Sequence, residues 1–313
     1  MQSIHPDPIL QFNADTLVTL RKKYNFEKPG EMDSAIDVIE NWIKKQEHLT
    51  KKEYSRGYLE RAIILLKGSV ERAKMQIDRI CTLRTLIPRF FDIDMEYLEK
   101  YSDKFVFVML PKMTKDHHRV LTIKYLCPSS ELNPKIFLAF FKFGVLLWEY
   151  LKSNDYCDGT IFCLDYRGLN FVEYVAGLNM VDAQHATAIA LEGFDLRIKG
   201  IHILTESTTV NVVVSLFKQL LSKKVGERVY VHKTLDSLHE NVPREILPSD
   251  LGGDESSILQ LRDDWFKVLK EKNTLNYLTE MSNARTNEAL RQTGTFNEQY
   301  MGIAGSFRSL SVD

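Results

Sequence analysis

The chain has 313 residues, 41 basic and 42 acidic side chains, and a formal charge of −1. That length fits one large domain or two moderate ones, and the balanced charge excludes bulk, charge-driven nucleic-acid binding while leaving room for a local basic patch. The apolar fraction of 44% and the charged fraction of 27% belong to a globular chain.

The opening "MQSIHPDPIL" has no basic segment followed by an apolar one, so no secretory signal is expected and the expected location is cytoplasmic. Residues 1–95 read as a helical unit. "MDSAIDVIENWIKKQ" places Ile36, Ile39, Trp42 and Ile43 at helical spacing, with Asp33 the expected N-cap. In "YLERAIILLKGSVERAKMQIDRICTLR" the pair Gly68-Ser69 is a stop followed by a cap, which predicts two helices, and Lys28-Pro29-Gly30 predicts a turn.

Residues 96–255 change character. "FVFVML", "RVLTIKY", "GTIFCLDY", "IKGIHIL" and "ERVYVH" are rich in β-branched and aromatic residues, with helical stretches at about 134–152, 171–192 and 206–224 between them. Alternation of this kind predicts βαβ crossovers and a largely parallel sheet. The polar "PKMTKDHH" suits a hairpin joining the first two strands. The run "IFLAFFKFGVLLWEYL" contains Lys142 and falls short of the roughly 20 apolar residues a spanning helix needs, so a buried helix is expected. Residues 256–313 give one more helix, "LRDDWFKVLKEK", and then a polar stretch from Thr279 that composition alone makes a solvated tail, with Phe307 and Leu310 as possible anchors.

Cys81, Cys127, Cys157 and Cys163 show no zinc spacing and are expected as free thiols. There is no GxSxG, GxGxxG, P-loop or HExxH. His117-His118 suits a hairpin turn, and His232, His239 and Asp165 have no nucleophile or Gly-rich loop beside them. An enzyme, a cofactor and a metal are therefore not expected.

"VSLFKQLLSKKVGERVYVH" (Val214–His232) turns from an apolar helix into a basic cluster at Lys218, Lys223, Lys224 and Arg228. Plotted as a helix, Val210–Ser222 carries an apolar arc of about 200°, wider than a surface helix needs. Either it is a well-buried crossover helix or it covers a second apolar surface, such as a lipid cavity. The aromatic helix with Phe137, Phe140, Phe141, Phe143, Trp148 and Tyr150 has the same ambiguity.

"SLHENVPREILPSDLGGDESSI" resembles the end of a CRAL-TRIO lipid-binding domain. "DGTIFCLDYRGLNF" resembles that family's strand and Asp-x-x-Gly turn, "RIKGIHIL" the strand entering its gate helix, and "WIKKQEHL…YLERAIILLKGSVERAK" its helical N-terminal domain. The resemblance spans about residues 30 to 255, and the final "GSFRSLSVD" is similar to tails in the tocopherol-transfer branch of the family. It implies an α/β fold with a five-stranded, mostly parallel sheet, preceded by a helical domain. It also implies one apolar ligand under a gate helix, and release at phosphoinositide membranes.

Carried over position by position, the resemblance implies a pocket of Phe143, Leu146, Tyr150, Cys163, Ala186, Ile189, Ala190, Ile201, Val210, Val213 and Phe217, in which Tyr150 can hold a ligand hydroxyl. It implies a phosphoinositide patch of Arg61, Arg197, Lys199, Lys224 and Arg228. Three motifs depart from the family: "LTES" replaces Asn-x-Pro at the gate entrance, "KQLL" replaces Lys-Pro-Phe-Leu, and Ile64 and Leu66 replace two arginines of an N-terminal motif that keeps Arg61. A gate helix without that proline is expected to run straighter. The expected protein is a monomeric, non-enzymatic carrier of a tocopherol-, retinoid-, carotenoid- or other isoprenoid-like lipid, peripheral at membranes and without nucleic-acid partners. The alternative is a lipid-sensing regulatory or scaffold protein that acts on a protein partner through residues 279–313.

Overall fold

The computed structural model describes residues 4–292. Five helices come first: α1 (Thr16–Lys23), α2 (Glu31–Lys45), α3 (Arg56–Leu65), α4 (Val70–Leu86) and α5 (Met95–Lys100). Two left-handed residues, Lys67 at φ 60° and Gly68 at φ 79°, end α3, their amides donating to the Ile64 and Ile63 carbonyls, and Ser69 caps α4 by accepting from the Arg72 amide. The start of α2 differs from expectation. Gly30 occupies the cap position, and Asp33 lies inside the helix, where it pairs with Arg56 at 3.0 Å.

The α/β part runs β1 (Phe105–Met113), β2 (Arg119–Tyr125), α6 (Pro134–Asn154), β3 (Thr160–Asp165), α7 (Phe171–Gly177), α8 (Met180–Ala188), β4 (Ile198–Leu204), α9 (Asn211–Leu220), α10 (Lys223–Gly226) and β5 (Val229–His232). The strands lie in one sheet in the order β1-β2-β3-β4-β5. The β1–β2 pair is antiparallel and the other three pairs are parallel. His117 adopts a left-handed conformation in the hairpin between the antiparallel strands, and each parallel pair is joined by helices, as crossovers require.

Two expected helices are interrupted. The stretch 171–192 divides because Asn179 caps a new helix, accepting from the Val181 and Asp182 amides; α8 then ends in a π-helical turn, Ile189–Gly193. The stretch 206–224 begins only at Asn211, and extended backbone at Leu221 and Ser222 separates α9 from α10. The stretch without that proline is therefore not one straight helix.

A short helix α11 (Leu235–His239) precedes α12 (Ile258–Leu269) and α13 (Lys272–Ser282). The polar stretch from Thr279 is packed rather than solvated, as far as the described residues reach. The Thr50 hydroxyl donates to the Arg285 carbonyl at 2.9 Å, the Thr286 amide donates to the Thr85 hydroxyl at 2.8 Å, and Arg291 pairs with Asp78 at 2.7 Å. Phe307, Leu310 and the end "GSFRSLSVD" lie outside the described residues.

Helix α6 forms the centre of the core. Asn133 caps it and Pro134 opens it. Its Phe140 and Phe143 meet Phe105 and Phe107 of β1 edge-on, at 5.1–6.3 Å between ring centroids, and Gly144 leaves room for the Phe107 ring, which would stand 3.1 Å from an added Cβ. Among the described residues no helix is long and apolar enough to cross a membrane.

Candidate functional site

Between the sheet and helices α6 to α9 lies a cavity of about 200 Å³. Its floor is Phe107, Ile123, Phe162, Leu164, Ile198 and Ile201; α6 contributes Phe140, Phe141, Gly144, Val145 and Trp148. Helix α8 and the π turn add Ala183, Ala186, Ile189 and Ala190, and the roof is Leu216, Phe217 and Leu220 of α9 with Leu221 beyond its end. None of the described residues lining it is charged, so an apolar guest loses water without stranding an ion pair. A bulge shapes the floor. Thr160 pairs with Ile198 and Ile161 with Gly200, so Lys199 is the extra residue and Ile198 shares a face with Ile201.

Of the expected pocket positions, Ala186, Ile189, Ala190, Ile201 and Phe217 stand in the cavity wall, and Phe143, Leu146, Tyr150, Cys163, Val210 and Val213 do not. For the three positions on α6 the reason is rotational register. Side chains on α6 advance 100° per residue, and the cavity takes positions 140, 141, 144, 145 and 148. Leu146 and Tyr150 lie on the far side. Tyr150 packs on Trp265 of α12 and donates to Asp7 at 2.7 Å, so its hydroxyl is taken up inside the protein. Phe143 stacks on Phe266 at 4.9 Å. Cys163 points away from Phe162 and Leu164 because strand residues alternate between faces, and burial raises its thiol to about 12. Val213 is fully buried on the same face of α9 as Leu216, Phe217 and Leu220, one turn nearer the N-terminus and outside the cavity lining, and Val210 is half-buried at the N-cap of α9.

Polar groups that motif matching missed lie at one end of the cavity. Tyr166 and Tyr174 line it, and the Tyr125 ring stands 5.5 Å from that of Tyr174 and 6.3 Å from that of Tyr166. The signal lay in "CLDYRGLNFVEY", where Tyr166 ends a strand and Tyr174 lies on the next helix.

The five expected basic positions gather at another corner. Arg197 and Lys199 hydrogen-bond to Asp158 at 2.9 and 2.6 Å, and Arg228 donates to the Ile198 carbonyl between them at 2.6 Å. Arg61 lies over the Tyr156 ring and donates to the Lys152 carbonyl at 3.1 Å; it shares a small pocket with Arg197. Lys224 is exposed on α10. Burial alone would raise the Asp158 carboxyl, but hydrogen bonds from His118, Lys199, Tyr24 and Lys23 outweigh it and hold this group well below the usual range. Gly159 makes the approach possible: at φ 126° an added Cβ would stand 2.6 Å from the Arg197 carbonyl and 2.8 Å from the Lys199 side chain.

Lys67, which no motif marked, belongs to the same corner. The charge of Arg197, then burial, then Lys224, Arg72 and Lys199 push its ammonium below its ordinary value. Asp158 and Asp195, the latter paired with Arg72 at 3.1 Å, offset only part of this positive charge.

The histidines and Asp165 have structural surroundings. Asp165 pairs with Lys124 and Arg167, both at 2.8 Å, His239 meets the Leu251 carbonyl at 2.8 Å, and His232 meets His202 at 2.9 Å. The described residues contain no group of three or more His, Cys, Asp or Glu arranged to hold a metal.

Residues 103–253 match the family described as the CRAL/TRIO domain. Over 97 residues the chain is 32% identical to alpha-tocopherol transfer protein-like of Mus musculus, a stretch that covers 31% of this chain and 28% of that protein. It is 33% identical over 70 residues to clavesin-2 of Rattus norvegicus, covering 21% of each. The chain therefore spans less than a third of the length of these curated relatives. A solved structure, "Crystal structure of Sfh5", superposes with a TM-score of 0.45 at 12% identity, covering 85% of this chain and 100% of that one.

Proposed function

We propose that this chain, which carries a CRAL/TRIO domain at residues 103–253, is a carrier that holds one hydrophobic molecule in the cavity under α9 and releases it at anionic, phosphoinositide-containing membranes. The observation that carries this proposal is the join between roof and corner. Leu220 and Leu221 close an uncharged cavity, and within three residues the chain reaches Lys223 and Lys224. A membrane that attracts the cations thus pulls on the end of the roof itself.

Three further features support the proposal. Helix α9 starts without a side-chain cap and stops at extended Leu221, so its ends contribute little to holding it closed. Val172, Met180, Val181 and Val212 are exposed on the three helices around the cavity, where an acyl interface would cover them. Each cation near an anionic surface adds about 1 kcal/mol of attraction, and arginine can meet phosphate through two parallel bonds.

The test is transfer of a fluorescent hydrophobic probe, preloaded on the full chain, to vesicles. Transfer to phosphoinositide vesicles is expected to outrun transfer to neutral phosphatidylcholine vesicles, with the advantage eroded by salt through screening. Lys67→Gln with Lys224→Gln is expected to slow transfer to the anionic vesicles and leave probe occupancy unchanged. Equal rates on both vesicle types would contradict the release step.

A further inference from the structure

The sheet has two outer edges, β1 and β5, and they are finished differently. An edge strand offers unpaired N–H and C=O groups to any other strand that meets it. The β1 edge is guarded. Its Met109 carbonyl accepts from the Trp265 indole at 2.8 Å, and its Pro111 carbonyl accepts from the Gln11 amide at 2.9 Å. Pro111 has no N–H to offer, and the register of β1 shifts between Met109 and Met113.

The β5 edge has no such guard. It pairs with β4 in parallel, and among the described residues no strand or bridge meets its other side. The Ile201 amide donates to the Arg228 carbonyl and the Thr205 amide to the His232 carbonyl, both at 2.9 Å. In a parallel ladder this phase gives the backbone of Tyr230 to β4 and turns the N–H and C=O of Val229 and Val231 outward. Tyr230 and Val231 are 45% and 41% exposed. Val229–His232 contains no proline, lysine or acidic residue, the residues that blunt an open edge.

We propose that β5 is a self-association edge, at which two copies of this chain join antiparallel about a two-fold axis at Tyr230. The choice of partner rests on charge. "ERVYVHK" (Glu227–Lys233) is self-complementary when one copy is reversed against another. With Tyr230 opposite Tyr230 of the second copy, Val229 of each copy exchanges both backbone bonds with Val231 of the other. The two tyrosines then occupy the position where cross-strand side chains come closest. Exposed Glu227 of each copy meets exposed Lys233 of the other, so opposite charges close both ends of the joint. A slip of two residues in either direction loses both ion pairs. Antiparallel pairing also sets the two basic corners, at the start of each β5, at opposite ends, so that they do not face one another. So short a strand covers far less than the roughly 1,600 Å² of a standard interface, and the dimer is accordingly weak and concentration-dependent.

The test is sedimentation velocity of the full chain over the micromolar range and above, where a monomer–dimer equilibrium is expected. Val231→Pro removes an outward N–H and leaves the ladder to β4 in place. It is expected to weaken association about 10-fold, the effect of losing one bond at each end, with the urea midpoint as the control for an intact fold. Lys233→Glu sets like charges against one another and is expected to weaken the dimer about 5-fold at low salt. Adding Glu227→Lys to Lys233→Glu exchanges the two charges and is expected to restore the parent's association, which decides the matter even where Val231→Pro does not fold. A parent that stays monomeric at every concentration overturns the proposal and leaves the edge to some other occupant. A folded Val231→Pro that dimerises like the parent, or a charge exchange that restores nothing, overturns it as well.

Discussion

His202 and His232 face one another across β4 and β5, Nδ1 to Nε2 at 2.9 Å, with His232 Nδ1 a further 2.9 Å from the Ser237 hydroxyl. Burial first, and repulsion from His232 second, push His202 down to about 4, and burial lowers His232 as well. The folded state thus binds fewer protons than the unfolded chain, whose histidines titrate near 6.5. The resulting stability is complete above that value and is lost as pH falls from about 6.5 toward 4. A urea midpoint measured across this window is expected to fall in the parent and to fall less in His202→Asn. Equal slopes would assign the loss to other groups. Asp158, with its depressed carboxyl, loses its contribution at lower pH, as the medium approaches and passes the ordinary carboxylate value. At this scale the legibility of the sequence was uneven. "DGT" and "RIKG" fix the strand ends around Gly159 and β4, so Arg197 and Lys199 were readable as neighbours. Tyr166 and Tyr174 lie in one short stretch, but Tyr125 comes from a separate strand, so the full cluster leaves no single motif.

Helices were legible as helices, and their faces were not. The pattern of α6 is apolar nearly all round, because one side meets the cavity and another meets α12 and α13. A helix buried on two sides has no amphipathic stripe by which to set its rotation. Strand β3 shows the same limit, since a continuous apolar run hides which alternate residues face the cavity. The breaks at Asn179 and Leu221 depend on capping and on packing against neighbours, which periodicity does not carry. A direct test of the face assignment follows. Val145→Trp is expected to fill the cavity and abolish binding of a hydrophobic probe. Leu146→Trp, one residue on, is expected to overpack the opposite side, to cost about 1–3 kcal/mol of stability, and to leave binding in the folded protein nearly intact. Loss of binding in Leu146→Trp with retention in Val145→Trp would reverse the assignment.

Over the whole molecule, the helical N-terminal elements, the sheet layer and the C-terminal segment share buried polar links. Arg84 of α4 pairs with Glu149 of α6 at 2.5 Å and donates to the Ala284 carbonyl at 3.2 Å, and Tyr277 of α13 donates to Glu149 at 3.2 Å. Composition made residues from Thr279 onward a solvated tail because such links use polar side chains and backbone carbonyls, which look the same as a solvated surface until the partner is known. The five-stranded, mostly parallel sheet, by contrast, followed from strand–helix alternation, since parallel strands require crossovers. The central claim is that this frame encloses a space for one hydrophobic molecule. It is tested most directly by extracting the purified full chain with organic solvent and identifying the released material by mass spectrometry, with Val145→Trp in parallel. The account predicts a near-stoichiometric hydrophobic molecule in the parent and its loss in the variant; a parent that releases none, or a variant that releases as much as the parent, would contradict it.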